Sequence, residues 1–240
     1  MARGKKRSWR RRSARLALAA AFAYILWEAP TWPHVAALAR KRPETTAFIE
    51  RWKTRQRTAG KHDAPDWRWV AYAAISPHLK RAVLVSEDIN FFSHHGFETA
   101  EIQTAFRDAI DEQGIPRGAS TITQQVAKNL WLSPSRNPAR KIKEAILTWQ
   151  LERSLDKKRI LEIYLDVAEL GPGIYGAEAA SQRYFGKSAA ELDEHEAAQL
   201  AACLPNPRRW NPAGRSAVAV RRTERIRGRM EKAQFLWKEI

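Results

Sequence analysis

Cysteine is almost missing from this 240-residue chain: Cys203 stands alone, so no internal disulfide can form. That absence leaves the compartment open, because an exported domain of this size need not be stapled. Alternating strand patterns are also nearly absent, and the expected fold is mainly α. His-x-x-x-His spacing and paired cysteines are lacking, which argues against a zinc centre. Gly171, Gly173 and Gly176 form a turn cluster. With no strand before them and no Lys-Ser/Thr ending, they do not make a nucleotide loop. Acidic side chains are missing from residues 1–15, and the apolar run that follows, Leu16 to Trp27, is only 12 residues.

What is present starts with charge. Residues 1–15 hold Arg3, Lys5, Lys6, Arg7, Arg10, Arg11, Arg12 and Arg15, half of the net +16. Such a run can bind nucleic acid, but an apolar stretch follows it at once. From Leu16 to Ala39 the only ionisable side chains are Tyr24, Glu28 and His34. As a helix, 16–39 would extend about 36 Å, enough for a hydrocarbon core of about 30 Å. The arginine flank belongs on the cytoplasmic side, which places the rest of the chain outside it. Two alternatives stand beside a retained anchor: a soluble basic arm, or a removable signal ending at Ala37-Leu38-Ala39. Glu28, Pro30 and Pro33 weaken the membrane reading. The expected organisation is a basic cytoplasmic tail (1–15), a transmembrane anchor (16–39), a connector (40–64), a main domain (65–212) and a C-terminal basic helix (213–240).

Helix signals dominate the main domain. Ser76-Pro77 supplies a cap and a first-turn proline for a helix running towards Glu87. Ile102, Ala105, Phe106, Ala109 and Ile110 share one helical face, which Gly114 ends. Ser120 is placed to cap a helix through about Trp131. Asn137-Pro138 starts another, with Ile142, Ala145, Ile146 and Trp149 on its apolar face. Asp156 caps a third, and Asp193 with Glu196 reads as a capping box for a helix ending near Pro205. Leu130 to Leu132 is expected in the core rather than in lipid.

Five polar or glycine-containing strings lie in fixed order among these helices. They are Glu87-Asp88-x-x-Phe91-x-x-His94-x-Gly96, Gly118-x-Ser120-Thr121-Ile122-Thr123-Gln124-Gln125, Arg140-Lys141-x-x-Glu144, Ile160-Leu161-x-x-Tyr164-Leu165-Asp166, and Gly176 through Tyr184-Phe185-Gly186-Lys187. Each has a plain reading. Glu87 could be a helix-end acid near histidines, although a carboxylate against Phe91 and Phe92 suits a general base. Thr121, Gln124, Gln125 and Lys128 fall opposite Ile122, Val126 and Leu130, an uncharged face apart from one lysine. That face suits a sugar or a phosphate better than bare solvation does. Arg140, Lys141 and Glu144 at i,i+4 and i,i+3 read by themselves as a surface ion pair worth about 0.3–0.5 kcal/mol. Together the strings put carboxylates beside a cluster of cations, which suits sugar transfer from a diphosphate donor.

The five strings, in this order over about residues 65–210, closely resemble the family-51 glycosyltransferases, the peptidoglycan polymerases. Ser120 to Gln125 followed by Lys128-Asn129 is the most specific segment, and 43–48 and 204–207 fit the monofunctional, membrane-anchored branch. The resemblance implies a lysozyme-like helical lobe plus a smaller membrane-proximal lobe, preceded by one N-terminal transmembrane helix. It implies polymerisation of lipid II into β-1,4-linked glycan with inversion and release of undecaprenyl diphosphate. Glu87 matches the general base and Glu144 the second carboxylate, which orients cations or holds a divalent metal. Lys128, Arg136, Arg140 and Lys141 match diphosphate-binding positions, with Ser120, Thr121, Gln124 and Gln125 lining the groove. No tightly bound cofactor is implied, only Mg or Mn as a loose assist to the diphosphate. The implied partners are lipid II, the growing lipid-linked glycan, the membrane and other wall-synthesis and division proteins, with no nucleic acid. The implied location is the inner membrane, single-pass, with a periplasmic catalytic domain and no transpeptidase domain after residue 240. Asp166 departs from the usual Asn of the fourth string: it adds a charge near the site, or is neutral if it only caps a helix. Ser181 replaces a common Ala. The nearest rival is a lysozyme-like peptidoglycan-cleaving enzyme, which leaves Lys128, Arg136 and Arg140 without work.

Overall fold

Side chains at the helix starts do what their positions foretell, and the helices so fixed carry the polar strings into one region. The computed structural model describes residues 31–98, 120–135, 138–214 and 216–240. The basic tail, residues 16–30 of the expected anchor, the helix expected around 102–110, Arg136 and Asn137 lie outside the described residues. Val35–Ala39 forms a short 3-10 turn, and among the described residues no helix is long and apolar enough to cross a membrane.

The stretch read as a connector contains a helix, α1 (Ala47–Thr58), capped by Thr46. After a two-residue strand, β1 (Asp66–Trp67), comes α2 (Pro77–Glu87), begun by Ser76 and Pro77 as expected. Next are α3 (Ile122–Trp131), α4 (Pro138–Ser154) and α5 (Lys157–Val167), the last capped by Asp156. Strands β2 (Glu169–Gly171) and β3 (Ile174–Tyr175) form a hairpin. Then follow α6 (Ala177–Phe185), α7 (Glu194–Cys203) with its Asp193–Glu196 capping box, the short α8 (Pro207–Trp210) and α9 (Ala217–Lys232).

Two groups of helices make the core. In one, α2 packs on α7 and both pack on α9; in the other, α3 packs on α4, α5 and α1. Tyr164, Phe91, Leu84, Ile122, Leu147 and Leu161 are fully enclosed. Leu130 and Leu132 are buried as expected. The glycine cluster is more than a turn. It joins a three-stranded sheet in the order β1-β3-β2, with β1 parallel and β2 antiparallel to β3. Strands of two or three residues are too short for an alternating pattern to register in sequence.

One expected face is turned around. On α4, Ile142, Ile146 and Trp149 are exposed, whereas Glu144, Leu147, Thr148 and Leu151 are buried. At 100° per residue these sets lie on opposite sides. The helix therefore hides its acid and shows its isoleucines.

Candidate active site

Glu87 ends α2, and its carboxylate meets polar groups from two other helices. Ser86 Oγ donates to Oε1 at 3.1 Å, Gln125 Nε2 donates to Oε2 at 3.1 Å, and Arg222 Nη2 lies 3.5 Å from Oε1. The phenylalanines expected around it pack elsewhere: Phe91 meets Phe92, His94 and the Lys157 ammonium. Gln125 is fixed in turn by Tyr164, whose hydroxyl donates to Oε1 at 3.1 Å. Burial, reinforced by Glu87, holds the Tyr164 phenol well above its ordinary pKa, so it stays a donor. That sets the Gln125 amide with oxygen towards Tyr164 and nitrogen towards Glu87.

The neighbouring Asp88 braces the corner. Its Oδ2 accepts from Ile122 N at 2.9 Å, satisfying a free N–H at the start of α3. Its Oδ1 faces His94 Nε2 at 2.9 Å, and Gly96 N donates to His94 Nδ1 at 3.1 Å. Nδ1 is therefore an acceptor and Nε2 carries the proton to Asp88. Gly96 has φ +83°, and a Cβ there would stand 2.8 Å from Thr148 Cγ2 and 2.9 Å from Glu152 Cγ. Only glycine fits. These contacts fasten the end of α2 to the start of α3.

The cap of α3 is Thr121, one residue later than expected. Thr121 Oγ1 accepts from Gln124 N at 3.3 Å and donates to the Gly96 carbonyl at 2.8 Å, and Gln124 Oε1 accepts from Thr121 N at 3.1 Å. Thr121 Oγ1 and Gln124 Oε1 thus serve the helix end, in a reciprocal box. Ser120 is exposed, and its carbonyl accepts from Gln125 Nε2 at 3.5 Å. Thr121 wins the cap because its hydroxyl can also close onto the Gly96 carbonyl.

Lys128 lies one turn beyond Gln125 on α3. Burial pulls its pKa down, Glu144 opposes that most strongly, Arg140 and Lys141 push it further down, and Glu87 also opposes. This one ammonium therefore feels both acids and both neighbouring cations. Glu144 is 3% exposed. Arg140 Nη1 donates to its Oε2 at 2.6 Å and Lys141 Nζ bonds its Oε1. The surface ion pair expected from spacing is instead a buried acid held by a part-buried Arg140 and an exposed Lys141. Both Glu144 oxygens are held by cations of its own helix, an arrangement that suits an incoming anion. A divalent metal on Glu144 would lie against the Arg140 and Lys141 charges, so the residues do not fit a metal held there. Arg140 Nε is buried and without a partner among the described residues. Arg136, also expected here, lies outside the described residues.

Asp166 caps nothing. It sits in the last turn of α5, fully buried, with Oδ1 accepting from Val70 N at 3.1 Å and Oδ2 without a partner among the described residues. Burial pushes its pKa up to about 8, helped by Glu162 and Glu178 and opposed by the Val70 bond and Arg159. It is mostly neutral at pH 7, much as an Asn would be. Ser181 is buried and donates to the Lys187 carbonyl at 2.8 Å, so its hydroxyl is satisfied.

Two residues escaped the sequence reading. Tyr164 looks like core on an apolar face, and nothing nearby signals its bond to Gln125. Arg222 lies 136 positions from Ser86, to which it donates at 3.2 Å, in a helix marked only as basic. No local pattern finds such a pair.

A leaving group that departs as an anion needs fixed cations and no proton at its oxygen, whereas a hydrolase cutting between sugars needs an acid there. A lone acid at one end, and two cations held by a buried glutamate beside a part-buried lysine at the other, suit a glycosyltransferase. The sequence profile of the transglycosylase family matches residues 54–231, and the chain belongs to that family. Among similar proteins, a biosynthetic peptidoglycan transglycosylase of Laribacter hongkongensis is 41% identical over 222 residues, covering 92% of this chain and 96% of the relative. Proteins of the same name from an Azoarcus species and from Thiobacillus denitrificans are 45% and 44% identical. They cover 91% and 83% of this chain, and 94% and 85% of their own lengths.

Proposed function

We propose that this protein polymerises peptidoglycan glycan strands from lipid II, a lipid-linked disaccharide diphosphate, at the membrane surface. The observation that carries the reading is the Gln125–Glu87 hydrogen bond. It ties the helix-end acid to the helix bearing Lys128, whose field joins the Arg140–Glu144–Lys141 triad. Glu87 takes the proton of the acceptor 4-hydroxyl as that oxygen attacks the anomeric carbon of the growing, lipid-linked donor. The anomeric carbon–oxygen bond breaks with inversion, and the diphosphate leaves with the electron pair. A positioned base of this kind contributes on the order of 10²–10⁴-fold. Lys128, Arg140 and Lys141, with Arg136, hold the departing charge, and Glu144 orients two of them. Burial costs Lys128 part of its hydration, and a bound anion offsets that cost. Ser120 and Gln125 line the groove beside this charge.

On this reading the helical body is the lysozyme-like lobe of the family, beside a smaller membrane-proximal lobe. The apolar stretch that begins at Leu16 anchors the chain in the inner membrane and the catalytic part, which includes the 3-10 segment Val35–Ala39, faces the periplasm. Mg or Mn acts at most on the diphosphate itself. The test is labelled lipid II and finished glycan, each given to wild type and to Glu87→Gln. We expect chain growth with wild type, none with the variant, and no shortening of finished glycan. Shortening of finished glycan, or growth by the variant at the wild-type rate, sinks the reading.

A further inference from the structure

The C-terminal helix α9 carries one side chain to the Glu87 carboxylate. Arg222 Nη2 reaches Glu87 Oε1 at 3.5 Å and Ser86 Oγ at 3.2 Å, with only 26% of the arginine side chain and 14% of the glutamate side chain exposed. Docking of the helix does not depend on it. Arg229 Nη1 donates to the Val85 carbonyl at 3.2 Å, and Arg81, stacked 4.6 Å over Trp237, donates to the Met230 carbonyl. Ile226 and Met230 are buried beneath. Arg222 therefore spends its charge on the acid while other residues hold α9 in place.

We infer that Arg222 is a positioning residue for glycosyl transfer, which holds Oε1 of Glu87 and leaves Oε2 to receive the acceptor's proton. Oε1 accepts from Ser86 Oγ and lies 3.5 Å from the Arg222 guanidinium, which itself donates to that hydroxyl, whereas Oε2 accepts from Gln125 and faces no cation in salt-bridge range among the described residues. A carboxylate oxygen offers about two lone-pair sites, so Oε2 keeps one for the substrate hydroxyl. The guanidinium also sets a fixed positive charge 3.5 Å from the oxygen that does not take the proton. Other ionisable groups near Glu87 include Lys128 on α3 and the neutral Tyr164 on α5 and Cys203 on α7. Asp88 is its chain neighbour, already engaged by His94 and Ile122. Arg222 is thus the one cation among the described residues in salt-bridge range of this carboxylate.

The inference rests on the reading of Glu87 as the base, and the experiment separates the two. Polymerisation rates on labelled lipid II are measured from about pH 5 to about pH 9 for full-length wild type, Arg222→Gln, Arg222→Lys, Arg229→Gln and Glu87→Gln. A misaimed base costs on the order of tenfold to a hundredfold. We expect that loss in kcat for Arg222→Gln, with KM nearly unchanged and the acidic limb of the rate–pH profile moved to higher pH. Arg222→Lys restores the limb, and Arg229→Gln lowers thermal stability while leaving the profile in place. The inference is overturned if Arg222→Gln keeps the wild-type profile, or if Arg229→Gln moves it equally. Should Glu87→Gln remain active, the reading of Glu87 fails instead, whatever Arg222 does.

Discussion

Replacing Asp166 by Asn gives the most quantitative test of how this fold treats a buried acid. The carboxyl is fully enclosed at the end of α5, with one oxygen bonded to Val70 N and the other without a partner among the described residues. Its pKa is about 8 in the folded chain and about 3.9 in an unfolded one. The sign follows directly. Below about pH 4 both states hold the proton and the group contributes no pH dependence. Between about pH 4 and about pH 8 the unfolded chain has lost the proton and the folded chain keeps it, so stability falls as pH rises. Each unit costs about 1.4 kcal/mol, so moving from about pH 5 to about pH 8 removes roughly 4 kcal/mol from the wild type, to order of magnitude. Asparagine can still accept from Val70 and has no proton to lose. Thermal unfolding followed by tryptophan fluorescence should therefore show a gap between variant and wild type that widens with pH. At about 2–4 °C per kcal/mol for a chain of this size, it should widen by roughly 8–16 °C between pH 5 and pH 8. A gap that stays constant from pH 5 to pH 8 would refute the reasoning, since it would mean the buried carboxyl ionises as freely as in water.

Two further outcomes follow from the site and the core. Glu144→Gln leaves Arg140 part-buried without its counter-charge, so we expect a loss of about 3–5 kcal/mol in denaturant unfolding and of roughly 10²-fold or more in polymerisation. Unchanged stability would mean that the triad is solvated. The thiol of Cys203 is pushed up to about 12 by burial, and it contacts the Leu200 and Leu170 carbonyls at 3.0 and 3.5 Å. A thiol reagent at neutral pH should leave it unmodified in the folded protein and label it in denaturant; equal labelling rates would contradict its placement.

Helix starts could be read in the sequence because a cap is a contact over two or three residues. Ser76, Asp156 and Asp193 each needed only their own neighbours, and each begins its helix as expected. The order of the five strings likewise pointed to the family, since it survives any way the chain is folded. Three-dimensional packing decided what depends on distant partners. It set Glu144 inside α4 with its two cations, turned Ile142, Ile146 and Trp149 outward, and gave the cap of α3 to Thr121 rather than Ser120. It also brought Tyr164 to Gln125 and Arg222 to Glu87, residues from the far end of the chain. Periodicity records which residues share a face of one helix. Whether that face is covered, and by which charge, depends on where the other helices lie.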